Sequence, residues 1–261
     1  MKTNHFAPIQ LEQMDQVKLM NRIDQKFWFH EDNLQRILES VEEYYYVLDI
    51  KGQNEFPYTS TYYDTPENQM YTKHHNGNLN RYKIRRRSYL SSDLSFLEIK
   101  FKTNKGRTSK KRIQTDNSGH SFTREEGDFI EANTPYLWWD LRPSLINEFS
   151  RVTLVNRNFK ERCTIDRDLQ YTKYGGWIKL ENLSIIEIKT DGRKSVSPLG
   201  LALREERIRA SGFSKYCMGR VLTDQNLKRN VFKRKIRKIE KTIHTNMDLY
   251  NLKTDNHDRT I

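Results

Sequence analysis

Polar and apolar positions alternate with a period of two along much of the chain, and charge occupies the face that a sheet usually turns inward. Over residues 81–102, Arg81, Lys83, Arg85, Arg87 and Tyr89 fall on one face of an extended strand, and Tyr82, Ile84, Arg86 and Ser88 on the other. After a polar turn, Glu98, Lys100 and Lys102 share a face, backed by Leu97, Ile99 and Phe101. Residues 21–30 repeat the pattern, with Arg22, Asp24, Lys26 and Trp28 aligned and Ile23, Phe27 and Phe29 mostly opposite. Further strands are predicted over 44–50, 58–64, 107–113, 151–159, 162–168, 177–180 and 183–190. Lys110 and Arg112 share one face of the 107–113 strand. Arg151, Thr153, Val155 and Arg157 align on the next, and Arg162, Thr164, Asp166 and Asp168 on the one after.

Helical spacing predicts a short lead-in over 1–20 and helices after Asp32, over 67–75, 198–210 and 214–224. Acidic helix formers around the pair Trp138-Trp139 predict a helical insert over 115–150. A basic helix follows within 228–241, with Phe232, Ile236, Ile239 and Ile243 forming its apolar stripe.

Rows of like charge on neighbouring strands are mutually destabilising, by about 0.2–1 kcal/mol per facing pair. They are either a solvated face or the lining of a site for an anion. An antiparallel sheet hides such rows by closing on itself, and about eight strands leave room for one small ligand. The expected fold is therefore α+β: a closed antiparallel β-barrel of about eight strands with flanking helices and a basic C-terminal helix. Residues 1–224 would form the barrel domain and 225–261 the helix and tail.

Composition narrows the occupant. Of 261 residues, 46 are Lys or Arg against 34 Asp or Glu, a formal net charge of +12 that calls for a polyanionic partner. The 14 Tyr, 12 Phe and 4 Trp supply core material, which argues against disorder. Cys163 and Cys217 lie too far apart in sequence for a CxxC site. No secretory apolar segment and no run of about 18 apolar residues occurs, so a cytoplasmic protein is expected, membrane-associated if its basic tail docks on anionic lipid or a membrane-protein partner. There is no P-loop, GxGxxG, HExxH or GxSxG. A duplex nucleic acid would need a groove or convex surface, so no specific nucleic acid is expected; a cation-lined lumen suits a linear polyphosphate. Carboxylates among the cations, at Asp24, Glu98, Asp166 and Glu187, suit Mg²⁺ or Mn²⁺ shared with phosphate oxygens. The chain also echoes itself, LEIKFKTNKGRTS at 97–109 resembling IEIKTDGRKSVS at 186–197, a weak sign of a duplicated half-barrel.

An ordered set of short motifs spans residues 20–220: R-x-D-x-K-F-W at 22–28, S-T-Y-Y-D at 60–64, R-x-R-x-Y at 85–89, L-E-I-K at 97–100, S-K-K-R at 109–112, N-R at 156–157, E-I-K at 187–189 and F-S-K-Y at 213–216. With these the chain resembles the VTC domain, the polyphosphate polymerase branch of the triphosphate tunnel metalloenzymes. The resemblance implies transfer of the ATP γ-phosphate to a growing inorganic polyphosphate chain, with Mn²⁺ or Mg²⁺. It implies phosphate contacts from Lys26, Arg85, Arg87, Lys100, Lys110, Arg112, Arg157, Lys189, Ser214 and Lys215, and makes Glu187 the metal ligand. Strand alternation alone adds Arg81, Lys83, Glu98, Lys102 and Arg162. Of these, Arg85, Arg87, Lys100, Arg157 and Glu187 are expected at the reacting phosphates.

Two departures stand out. Where tunnel triphosphatases carry E-x-E-x-K, this chain has Arg22-Ile23-Asp24-Gln25-Lys26, which argues for the polymerase over a triphosphatase. The eukaryotic polymerase has a Tyr two residues before the arginine matched by Arg157, where this chain has Val155. No regulatory SPX domain or membrane helices are expected in the chain. A non-catalytic binder of polyphosphate or RNA is the reading from another class; Tyr82 and Tyr89, the candidate stacking platforms, lie on opposite faces of their strand. Arg86, one residue out of phase, is expected to matter little to turnover, and the tail after Asp224 to be dispensable for it.

Overall fold

A computed structural model describes residue 3 and residues 5–17, 23–116, 121–173, 175–192 and 196–245. Its strands are β1 (Ala7–Ile9), β2 (Ile23–His30), β3 (Tyr45–Leu48), β4 (Glu55–Asp64), β5 (Arg81–Tyr89), β6 (Leu94–Lys102), β7 (Thr108–Thr115), β8 (Arg142–Asn156), β9 (Glu161–Thr172), β10 (Ile178–Leu180) and β11 (Leu183–Thr190). The helices are α1 (Leu34–Glu39), α2 (Gln69–His75), α3 (Arg124–Asn133), α4 (Pro198–Glu205), α5 (Lys215–Thr223) and α6 (Lys233–Thr242).

All eleven strands join one sheet, whose main path runs β2-β11-β9-β8-β4-β5-β6-β7. Every pairing on that path is antiparallel. The α+β class and the eight-strand path match the sequence reading. Closure does not: among the described residues the terminal strands β2 and β7 are not hydrogen-bonded to each other. The sheet curls into an arch with a seam between them.

The two faces of the arch are covered differently. Outside, α1 and α4 pack Leu34, Ile37, Leu38, Leu199 and Leu203 on Phe27, Phe29, Val152, Leu154, Ile165, Ile186 and Ile188. A second outer cluster joins Ile130 of α3 and Met70 of α2 to Ile84, Leu97 and Ile99. Inside, α5 fills one end of the concave face. All its residues from Tyr216 to Thr223 are buried, and its partners include Tyr62, Leu145, Phe149, Tyr171 and Ile185. Gly219 permits this contact, since a Cβ there would stand 2.5 Å from both Leu145 Cδ2 and Tyr171 Cδ1. Gly219→Val is expected to cost about 1–3 kcal/mol, the usual price of overpacking, read as a lowered midpoint in urea.

Several expected elements differ. Among the described residues of the 115–150 insert, the α-helix covers only Arg124–Asn133, with a 3₁₀ turn over Trp138–Asp140; the chain re-enters the sheet at Arg142, and β8 runs for 15 residues. Pro143 and the polar run Asn147-Glu148 hide this strand from a pattern search, although Leu145 and Phe149 keep the two-residue period. The lead-in contributes β1 and a 3₁₀ turn over Leu11–Gln16 instead of an α-helix. The strand echo does not extend to a repeated unit, because β6 leads through a turn into β7 while β11 leads to α4; part of the second copy lies outside the described residues. The basic helix packs on its own domain, as a solvated helix with an apolar stripe would: Ile236, Ile239 and Ile243 join Trp28, Tyr71, Leu180 and Tyr216 in one cluster. Deletion after Asp224, the expected boundary, would strip that stripe from the cluster.

Arg86 has a structural role that its parity does not reveal. It points away from the concave face, as its parity requires, but it is 5% exposed and forms a two-pronged ion pair with Glu126 of α3, at 2.7 and 2.8 Å. The same guanidinium donates to the Ser121 carbonyl. Thr123 and Glu126 form a capping box at the start of α3, so Arg86 locks the insert to the sheet.

Candidate active site

The rest of the concave face is a cavity of about 360 Å³. Its lining draws on β2, β4, β5, β6, β7, β8, β9 and β11 and on the N-terminal end of α5. Eleven Lys and Arg side chains reach it against three carboxylates, Asp24, Asp166 and Glu187. Strand register explains the concentration: Lys83 faces Lys100, which faces Lys110, and Arg85 faces Glu98, which faces Arg112.

The carboxylates hold this charge in place. Glu98 is wholly buried, takes the Arg85 Nε at 2.7 Å and pairs with Lys110. Burial pushes its carboxyl up, but Arg85, Arg87 and Lys110 bring it well below the ordinary carboxylate range. Asp166 binds Arg151 Nη2 at 2.8 Å and the Lys215 ammonium, and is held down in the same way. Glu187 faces Lys26 across β2 and pairs with it and with Lys189, the latter at 2.9 Å. Lys189 and Lys26 outweigh its burial and keep it ionised.

The cations are correspondingly stressed. Arg85 first, then burial and Arg87, lower Lys100 well below the usual lysine value. Burial is the first cause of lowering at Lys83, Lys110 and Lys215. Burial and Arg85 bring Arg87 down to about 10. Burial raises the Tyr62 phenol, but Arg85, Arg87 and Lys83 overcome it and leave the group below its ordinary value; Arg85 Nη1 donates to its oxygen at 3.2 Å. Such a pocket holds fewer protons when empty than a neutralising anion would let it hold. Anion binding is therefore expected to take up protons, and affinity for tripolyphosphate should fall as pH rises from 7 toward about 10, through the lowered lysine range. Calorimetry in buffers of different ionisation enthalpy reads the uptake; a pH-independent affinity with no proton exchange would refute it.

At the floor, the Ser214 hydroxyl caps α5 by accepting from Cys217 N at 3.2 Å and accepts from Lys83 Nζ at 3.1 Å. Ser214 and Lys215 thus bring the positive end of a helix to the cavity.

The structure gathers Lys26, Lys83, Arg85, Arg87, Lys100, Lys110, Arg112, Arg162, Glu187, Lys189, Ser214 and Lys215 in this one lining, with Glu98 bonded to its cations. It excludes three expected residues. Arg81 and Lys102 face each other at the ends of β5 and β6, beyond the lining. Arg157 lies past the end of β8, exposed; its Nε donates to the Glu43 carbonyl at 2.6 Å and its guanidinium covers the Tyr46 ring. The chain has turned out of the sheet there, toward Phe159 at φ 59°. Arg151, three strand pairs earlier on the same face, takes the position in the cavity. Two residues before it stands Phe149, whose ring the Arg151 guanidinium covers at 5.2 Å from the centroid. Phe149 stacks on Tyr58, ring centroids 5.3 Å apart. Tyr62 and Tyr89 also line the cavity. Their signal in the sequence was the two-residue period, Tyr62 following Ser60 and Tyr89 following Arg87. Arg22 lies outside the described residues.

Among the described residues no three His, Cys, Asp or Glu side chains converge on a common point. The carboxylates of the lining are the strongly ionised Glu187, with Asp24 diagonal to it across β2 and β11, and Asp166, which Arg151 and Lys215 engage. That suits a hard divalent ion that arrives on phosphate oxygens and takes one or two carboxylates from the protein.

The chain matches the VTC domain family over residues 21–223, and belongs to it. None of the curated protein sequences matches it. Among solved structures it is similar to a Hippeastrum protein, described as an adenylyl cyclase candidate with a dominant triphosphatase activity, at 14% identity and a TM-score of 0.45, over 76% of this chain and 95% of that one. A Vibrio parahaemolyticus protein, described as an adenylate cyclase candidate, is similar at 12% identity and a TM-score of 0.41, over 73% of this chain and 85% of that one. A conserved hypothetical protein of Pyrococcus furiosus is similar at 9% identity and a TM-score of 0.39, over 72% and 94%.

Proposed function

We propose that the cavity binds an extended phosphoanhydride chain and transfers the γ-phosphate of ATP to inorganic polyphosphate. The observation that carries this is the lining itself: eleven cations in about 360 Å³, held apart by buried carboxylates. Phosphoryl transfer needs positioning and charge neutralisation more than a protein nucleophile. Arg85 and Arg87 hold phosphates bidentately, and Lys26, Lys100, Lys110 and Lys189 contribute point charges. Glu98 and Asp166 fix the guanidinium groups of Arg85 and Arg151 before substrate arrives. Glu187 would hold the divalent ion, Mn²⁺ or Mg²⁺, which offsets charge where two phosphates approach. The acceptor's terminal oxygen attacks the γ-phosphorus in line, forming the new P–O–P bond as the bond to the β-phosphate oxygen breaks and ADP leaves.

One observation favours a second reading. Because α5 packs into one end of the concave face, hydrolysis of a short triphosphate in the rest of it would need no passage for a chain past the helix. Incubation with ATP and Mn²⁺ separates the two: chains that persist on a gel support the polymerase, and free phosphate with no chain supports the triphosphatase. Binding of tripolyphosphate with no turnover would leave only a binding module.

A further inference from the structure

Cations continue beyond the cavity on one side. Arg81 and Lys102 face each other one step past Lys83 and Lys100. Arg81 is tied to the Asn78 carbonyl, just after α2. Phe232, at the start of α6, packs edge-on against His75 at the end of α2, ring centroids 5.7 Å apart. The Lys235 ammonium donates to the Gly212 carbonyl, two residues before Ser214 at the cavity floor. Helix α6 therefore abuts both the cavity floor and the Arg81–Lys102 rim. Its apolar stripe, Ile236 and Ile239, is buried in the core, while Arg234, Arg237 and Lys241 are exposed at spacings of three and four, on one outer face.

We propose that this outer face of α6 is a second binding track for a phosphoanhydride polymer, continuous with the cavity over the Arg81–Lys102 rim. The proposal rests on the reading of the cavity as a phosphoanhydride site. The exposed face is a row of cations, with the half-buried Glu240 the one acidic residue of α6, adjoining a site of the same charge, so one polyanion can span both. An interfacial membrane helix instead sinks an apolar face between lipids, and the apolar face of α6 is already occupied by the core.

The triple variant Arg234→Gln, Arg237→Gln, Lys241→Gln tests this without touching the cavity. Calorimetry at near-physiological salt would compare tripolyphosphate, which fits the cavity alone, with long-chain inorganic polyphosphate. The expected result is about a tenfold weaker affinity for the long chain with a shallower salt dependence, as for the loss of a few phosphate contacts, and an unchanged affinity for tripolyphosphate and an unchanged melting temperature. An unchanged long-chain affinity, or equal weakening of both ligands, would overturn the track. Loss of binding to phosphatidylserine vesicles with long-chain affinity intact would overturn it in favour of a lipid surface. If the wild-type protein binds the long chain through α6 but not tripolyphosphate, the cavity reading fails and the track stands.

Discussion

Arg85→Ala and Arg87→Ala are each expected to remove about 2–5 kcal/mol of tripolyphosphate affinity and nearly all ATP turnover, with the fold retained. Arg85 is bonded to both Glu98 and Tyr62, and Arg87 to Ser60 at 3.1 Å, so both guanidinium groups are set before a ligand enters. Removing Arg85 also leaves Glu98 buried with Lys110 as its remaining close ion partner, which adds a repulsive carboxylate to the floor of an anion site. Arg86→Ala should behave differently. It leaves Glu126 buried without its main counter-charge, and the expected loss is about 3–5 kcal/mol of folding stability. At temperatures where the variant stays folded, its tripolyphosphate affinity should be close to wild type. Thermal melts and binding isotherms on the three variants decide it. Equal affinity losses at all three positions with equal melting temperatures would refute the assignment of alternate residues to opposite faces.

Glu187→Gln carries the second large effect. The substitution keeps the side-chain size and one acceptor oxygen and removes the charge between Lys26 and Lys189. If Glu187 holds the metal, turnover collapses and is partly recovered by excess Mn²⁺, while metal-free binding of tripolyphosphate persists or tightens because a negative charge has left the cavity. If it only spaces the two ammonium groups, the metal requirement does not move. An Mn²⁺ activation curve superimposable on that of the wild type would reject the ligand role.

Most of the lining was legible in the sequence because a two-residue period assigns a face without knowledge of the partner strand. Lys83, Lys100 and Lys110 required nothing further. Arg157 and Arg151 show where that stops. They have the same parity, so the period could not choose between them; the choice depends on β8 starting at Arg142 and ending at Asn156, and strand ends are set by pairing with β4 and β9. The partner of Arg86 was hidden for a related reason, since Glu126 lies 40 residues away on a helix whose position no local pattern fixes. The 214–224 helix could be read from the sequence. Its burial on all sides, which makes it the end wall of the cavity, could not, because Ser214, Lys215 and Arg220 look like the polar face of a surface helix. Arg220 is in fact wholly buried, bonded to Asn68 at 2.6 Å and lying beside Asp64.

The unjoined ends of the arch have a consequence for how the protein behaves in concentrated solution. A strand at the margin of a sheet offers unsatisfied N–H and C=O groups to any other extended chain, and long apolar margins nucleate aggregation. Strand β7 is such a margin, and five of its eight residues are exposed without interruption from Thr108 to Arg112. Three consecutive cations, Lys110, Lys111 and Arg112, lie within that stretch. Two copies of the molecule cannot lay these margins side by side without bringing six positive charges together. Two of the three, Lys110 and Arg112, line the cavity proposed to grip phosphate and would then also act as gatekeepers of solubility, and a long polyanion that neutralised them would remove that protection.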